Sequence, residues 1–200
     1  MNRFESALEN NALRKWVREL MEVKPMRAAT DIGTIDHALH IACGNGGATD
    51  LLLKHFTARR VSAVDQNPIV IAEAQRTHPG EMFAFSVQNV LSLSFADGIF
   101  DAAFDLADLH NYPDWQRGVM ELKRVLKPGG LLILEEITQE TFAHGAGRLF
   151  KALTEHPYEA MLTMDGLRNH VADSGFEILY SREKNPFGLL RYIIMVARKR

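Results

Sequence analysis

A single cysteine, Cys43, stands in 200 residues. It excludes an internal disulfide and suits a reducing compartment. Long apolar runs are missing too. The longest, such as Tyr192 to Ala197, fall far short of the ~20 residues of a membrane-spanning helix. Neither sign of charge dominates: 23 Lys and Arg against 25 Asp and Glu leave −2, so no basic field marks a nucleic-acid binder. Glu5, Glu9, Arg14 and Lys15 interrupt the start of the chain, which does not read as a secretory leader. His144, His156 and His170 have no second ligand at metal spacing. Repeats, low-complexity stretches and an interdomain linker are also missing. These absences predict a cytoplasmic domain with no nucleic-acid partner, no stable membrane insertion and no metal. A hydrophobic content of 46% is enough for one sizeable core.

What the chain does have is a glycine cluster between two apolar runs. Ala38 to Ala42, interrupted by His40, suits a buried strand. Gly44, Gly46 and Gly47 then let the backbone turn and approach a ligand closely. Leu51, Leu52 and Phe56 keep helical spacing over Ala48 to Phe56, so the glycines open a helix whose first amides face the loop. Val61 to Val64 reads as a second strand ending at Asp65. That carboxylate lies 19 residues beyond Gly46, close to the ~20 at which a strand-end acid reaches ribose hydroxyls. The unit predicts nucleoside binding. Cys43 could be a nucleophile, but no base stands beside it in sequence, and a small residue filling a tight turn accounts for it.

The rest of the chain continues the alternation. Phe4, Leu8, Ala12, Leu13, Trp16, Val17, Leu20 and Met21 draw one stripe along a helix that Pro25 ends; it either packs on the sheet edge or caps the site. Asn67 and Pro68 read as the cap and first position of a helix. Met82 to Val87 and Phe100 to Leu106 read as the third and fourth strands. Val119, Leu122, Val125 and Leu126 share a helical face that Pro128-Gly129-Gly130 breaks, and Leu131 to Leu134 suits a buried strand. Thr138 to Tyr158 has no clear period and suits mixed helix and loop. A helix over Thr163 to Ser174 precedes two strands, Phe176 to Arg182 and Leu190 to Ala197, which form a hairpin.

The glycine spacing decides which nucleoside. A dinucleotide fingerprint needs G-x-G-x-x-G, and its third glycine would fall on Thr49, which argues against a nicotinamide-dependent dehydrogenase. Read from Ala42, the run A-x-G-x-G resembles the first motif of class I S-adenosylmethionine-dependent methyltransferases, with His40 in place of its acidic residue and Ala42 in place of its first glycine. Asn89, Leu93-Ser94-Phe95 and Phe100-Asp101 are similar to the family's next stretch, with Asn89 at an acidic position. Leu109-His110, Pro113-Asp114-Trp115 and Arg124-Val125-Leu126-Lys127-Pro128-Gly129-Gly130 resemble its small-molecule branch. The likeness is strong over about residues 35–140.

That resemblance implies an α/β fold: a Rossmann-like, doubly wound seven-stranded sheet, mostly parallel with one antiparallel strand near the C-terminus, plus an added N-terminal helix. It implies one domain over 1–200, with a helical extension at 1–30, a cofactor core at 35–140, and an acceptor-side segment with the hairpin at 141–200. The implied cofactor is S-adenosylmethionine and the implied partner a small-molecule acceptor methylated at O, N or C. Gly44 and Gly46 would approach the methionyl part, and His40, Ala42, Cys43 and Asp105 would also line the cofactor site. Asp65 would take both ribose hydroxyls, Gln66 would flank the adenine, and Asn89 with the Val90 amide would read its edge. His110 is either the general base or part of the pocket wall. Of Glu135 and Glu136, only one can face the site, since neighbouring strand residues point oppositely. His40 either meets the cofactor's ammonium group or points into the core. The departures at His40, Ala42 and Asn89 also fit a protein that holds the cofactor, or S-adenosylhomocysteine, without turnover.

Overall fold

The computed structural model describes residues 24–28, 30, 33–143, 148, 151, 157–185 and 190–200. The striped segment Phe4 to Met21, His144 and His156 lie outside them. Pro25, expected to end that stripe, falls within the short helix α1 (Lys24–Ala28), where its missing N–H is no loss because first-turn amides have no partner within a helix.

Seven strands form one sheet in the order β3-β2-β1-β4-β5-β7-β6. They are β1 (Ile35–Ile41), β2 (Ala58–Asp65), β3 (Phe83–Val87), β4 (Phe100–Leu106), β5 (Leu126–Ile137), β6 (Phe176–Lys184) and β7 (Tyr192–Lys199). β1 to β5 pair in parallel, and β7 runs antiparallel to both β5 and β6. The fold is thus the Rossmann-like doubly wound sheet expected. β1 begins at Ile35, before the apolar run, because alternation of buried Ile35 with exposed Asp36 is how a strand enters a sheet from its wet end. β5 likewise starts at Leu126 and carries Pro128-Gly129-Gly130 inside it, across an irregularity in its register with β4. The helix before it has already ended at Val125, so those residues shape a strand entrance.

Each face of the sheet carries its own core, as parallel strands between helix layers require. On one face Ala38, Val61, Ala63, Phe104 and Ile133 pack with Leu51, Leu52 and Phe56 of α2 (Thr49–Phe56) and Ile71 and Ala74 of α3 (Pro68–Thr77). On the other, Leu39, Ile41, Val64, Ala103, Leu132 and Met195 pack with Val119, Leu122 and Val125 of α4 (Trp115–Val125) and Leu167 and Val171 of α5 (Met164–Asp173). Asn67 caps α3 by accepting from the Ile69 amide, and Thr163 caps α5 by accepting from Gly166. Gly118 of α4 is a packing requirement: a Cβ there would lie 2.5 Å from Leu109, in the turn after β4.

Candidate active site

The carboxyl ends of β2, β1 and β4 lie side by side and carry the glycine loop and the acids flanking it. Ile41 at the end of β1 is level with Val64 on β2 and with Asp105 on β4. Ala42 turns the chain out of β1 with φ 47°, and Gly44 and Gly46 follow at 54° and 88°. Ala42 therefore adopts the left-handed conformation that glycine adopts freely, at a cost of about 1–2 kcal/mol. The two glycines serve different ends. A Cβ at Gly46 would lie 2.9 Å from the His78 ring and 3.2 Å from Phe85, whereas one at Gly44 meets no described atom within 4 Å. Gly46 makes room for the protein; Gly44 borders open space that suits a ligand.

Asp65 is half-buried and aimed by backbone. The Gly44 amide donates to its Oδ2 at 3.0 Å and the Asn67 amide to its Oδ1 at 2.9 Å. Both oxygens keep further lone pairs for hydroxyl donors. Cys43 is buried, and burial followed by the Asp65 charge pushes its thiol up to about 12, which removes the nucleophile reading at neutral pH. His40 is fully enclosed, with Nδ1 2.9 Å from the Thr49 hydroxyl in the first turn of α2. It braces the loop from beneath, which is the core-facing alternative. Gln66 and Asn89 are exposed at the rim. The Asn89 Oδ1 accepts from the Leu91 amide at 2.8 Å, which forms a tight turn, while Val90 is buried under it.

The turn after β4 is organised by Glu136, one of the Glu135-Glu136 pair at the end of β5. Glu136 is fully buried. Its Oε1 accepts from the amides of Asp108 (3.0 Å) and Leu109 (2.6 Å), and its Oε2 from the His110 amide (3.3 Å) and His110 Nδ1 (2.8 Å). Asp105 is also fully buried, and its Oδ1 shares the Asp108 amide at 3.0 Å. Two buried carboxyls on one N–H need a proton between them. Asp105 holds it: burial and then the Glu136 charge raise its carboxyl well above the usual range. Glu136, itself pushed up to about 8 by burial, is the partner with the amide donors that stabilise an anion. Accepting from Nδ1, it sets His110 as the Nδ1–H tautomer and makes Nε2 the acceptor nitrogen of the neutral ring.

Asp108 and Tyr112 complete the turn. Ala107 swings the chain over at φ 68°, and its amide donates to the Glu135 carbonyl at 2.8 Å. The Asp108 side chain accepts from Tyr112 and Asn111, and burial, followed by the neighbouring acids Asp105 and Asp65, pushes its carboxyl up to about 8. Burial and the Asp108 charge also raise the Tyr112 phenol. One signal in the sequence points to this cluster: Asp105, Asp108, Glu135 and Glu136 are acids at the ends of otherwise apolar strands, where an unpaired charge is costly. His170, which the sequence left without a metal role, lies with Nε2 3.2 Å from the Gln116 carbonyl. Among the described residues no group of three or more His, Cys, Asp or Glu is placed to hold a metal ion, and no helix is long and apolar enough to cross a membrane.

Fold and site together define a Rossmann-like α/β domain with an open glycine loop beside an amide-aimed carboxylate, and known proteins share it. Residues 39–134 match the model of a methyltransferase domain. The chain is 31% identical over 143 residues to a demethylmenaquinone methyltransferase of Bacillus cereus, covering 70% of this chain and 57% of that protein. It is 32% identical over 102 residues to a 2-methyl-6-phytyl-1,4-hydroquinone methyltransferase of Synechocystis, covering 50% of this chain and 32% of that protein. Among solved structures, an S-adenosylmethionine-dependent methyltransferase of Methanosarcina mazei superposes with a TM-score of 0.66 at 28% identity, covering 84% of this chain and 94% of that one. The chain spans about a third to just over half of the two curated relatives. The proteins it resembles are S-adenosylmethionine-dependent methyltransferases, over residues 39–134 in the family's domain and over 84% of this chain in the solved structure. Their cofactor fits the open side of Gly44 and the aimed carboxylate of Asp65.

Proposed function

We propose that this chain transfers the methyl group of S-adenosylmethionine to a small-molecule acceptor by in-line displacement, in the cytoplasm. The observation that carries the reading is Asp65, aimed by the Gly44 and Asn67 amides beside a loop left open at Gly44. In this reading Asp65 accepts from both ribose hydroxyls, Gly44 and Gly46 admit the methionyl part, and Asn89 with the Val90 amide reads the adenine edge. Gln66 flanks the adenine. When bound, the cofactor supplies an electrophilic methyl on a sulfonium. The protein's task is then alignment and exclusion of water. His110, held in one tautomer by Glu136, is the base for an acceptor that must lose a proton. Relatives named for a demethylmenaquinone and a phytyl-hydroquinone support a small acceptor. The single buried cysteine supports a reducing setting.

The whole chain acts as one domain here, with residues 1–30 as an extension and 141–200 facing the acceptor. A cavity of about 250 Å³ lined by Gln139, Phe142, Lys151 and Tyr158 is assigned to the acceptor in this reading. The experiment is transfer of labelled methyl from S-adenosylmethionine to a panel of hydroquinones, phenols, carboxylic acids and amines. Label should pass to one chemical class. Cofactor binding without transfer to any class would replace the reading with a binding protein, and no binding would remove it.

A further inference from the structure

The strand register places the far end of the cofactor. Ile41 on β1 is level with both Val64 on β2 and Asp105 on β4. Strands are roughly 4.8 Å apart, so the end of β2 and the turn after β4 stand about 10 Å apart across the glycine loop. A nucleoside held by its ribose at Asp65 and laid over Gly44 ends above that turn. There S-adenosylmethionine carries a sulfonium beside its amino-acid group, and S-adenosylhomocysteine carries a neutral thioether. The two ligands differ by one methyl and one positive charge.

Asp108 stands at that end. Its amide is pinned by the buried Asp105 and Glu136, so its position is set by the core and not by a free loop. Its half-buried side chain accepts from Tyr112 and Asn111. The acids facing it come from separate elements: Asp65 from β2, Asp105 from β4 and Glu136 from β5, with His110 and Tyr112 from its own turn. We propose that Asp108 is a specificity-determining residue, the carboxylate that distinguishes the sulfonium cofactor from its thioether product and so favours product release after transfer. This inference rests on the cofactor assignment and not on the identity of the acceptor.

A consequence can be measured. With its carboxyl pushed up to about 8, Asp108 holds its proton in part near neutrality. A cation arriving beside it draws the proton off, whereas the neutral product does not. Binding of S-adenosylmethionine should therefore release a proton, and its preference over the product should strengthen as pH rises.

The test is calorimetric titration of the full chain with S-adenosylmethionine, S-adenosylhomocysteine and sinefungin, whose amine is a cation in place of the sulfonium. Titrations run between about pH 6.5 and 8.5, on either side of the Asp108 value, in two buffers of different ionisation enthalpy. In the wild type the affinity ratio of either cation to the product should rise roughly tenfold over that range. The cations' heats should depend on the buffer. Asp108→Asn should lower the ratio by about the same factor, flatten its pH dependence and leave the affinity for S-adenosylhomocysteine unchanged. Tyr112→Phe removes a donor that favours the ionised form, so it should move the rise to higher pH. Should Asp108→Asn fail to fold, that shift decides the matter, and its absence would overturn the proposal. A folded Asp108→Asn that keeps the wild-type ratio and pH dependence would overturn it too, with the cofactor assignment intact. A wild type that binds none of the three ligands would remove the cofactor assignment itself.

Discussion

The two acids that border the glycine loop are held in opposite ways. Asp65 is half-buried and accepts from two backbone amides. Asp105, two strands away, is fully buried and shares a proton with Glu136. An acid aimed by amides, with lone pairs to spare, suits neutral hydroxyl donors. A group of acids with a proton among them, raised by burial and by one another, suits an arriving positive charge. One edge of the sheet thus presents two chemistries, which the proposed cofactor path uses at its ribose and at its sulfonium.

The most damaging way to break this contrast is Glu136→Ala. It strips the acceptor from three backbone amides and the His110 ring. Loss of one side of a buried charged network costs about 3–5 kcal/mol, readable by urea unfolding. Glu136→Gln keeps an acceptor oxygen and should cost less. Asp65 has no comparable part in the core, so Asp65→Ala should leave unfolding nearly unchanged. Similar losses in the two variants would erase the contrast.

The buried side should also be sensitive to alkali. Asp108 is pushed up to about 8, and Asp105 is raised well above the usual range. Carboxyls raised in the folded state bind more protons there than in the unfolded chain, so stability falls as pH rises towards their folded values and levels off beyond. Burial lowers the His37 pKa below 6.5, which adds stability only up to that value. The window from about 6.5 to 8.5 therefore belongs to the acids. Melting temperature should drop across it in the ligand-free wild type and drop less in Asp108→Asn. A rise would contradict the assignment.

The glycines divide in the same sense, with smaller effects. Gly46→Ala meets the His78 ring at 2.9 Å at φ 88° and should destabilise by about 1–3 kcal/mol. Gly44→Ala has room and should cost about 1 kcal/mol of stability, yet weaken S-adenosylhomocysteine more than Gly46→Ala does. Ala42→Gly is the mildest change. It relieves the φ of 47° and should stabilise by up to about 1 kcal/mol.

How far the sequence reveals this molecule follows the same division. The adenosine side rests on local signals: a glycine cluster, a cap at Asn67-Pro68 and an acid at a strand end, each legible over a few residues. The order of strands and the antiparallel hairpin follow once those motifs are placed. Glu136 was visible only as half of a Glu pair, because its partners at 108–110 come from β4's turn and meet it only through the pairing of β4 with β5. The orientation of His40 is not legible in the sequence for the same reason: its neighbour Thr49 lies across the loop, and only the folded turn shows the ring enclosed. The β5 entrance differed because Pro128-Gly129-Gly130 reads as a helix stop, while its role is to bend a strand that has already begun.

The position of the ribose decides whether this cofactor path holds. Calorimetric titration of the wild type and of Asp65→Ala with S-adenosylhomocysteine tests that directly. A lost charged hydrogen bond at a buried ligand costs on the order of 1.5–3 kcal/mol, so the folded variant should bind roughly tenfold to over a hundredfold more weakly. Equal affinity in the two proteins would contradict the assignment of Asp65 and the path of the cofactor drawn from it.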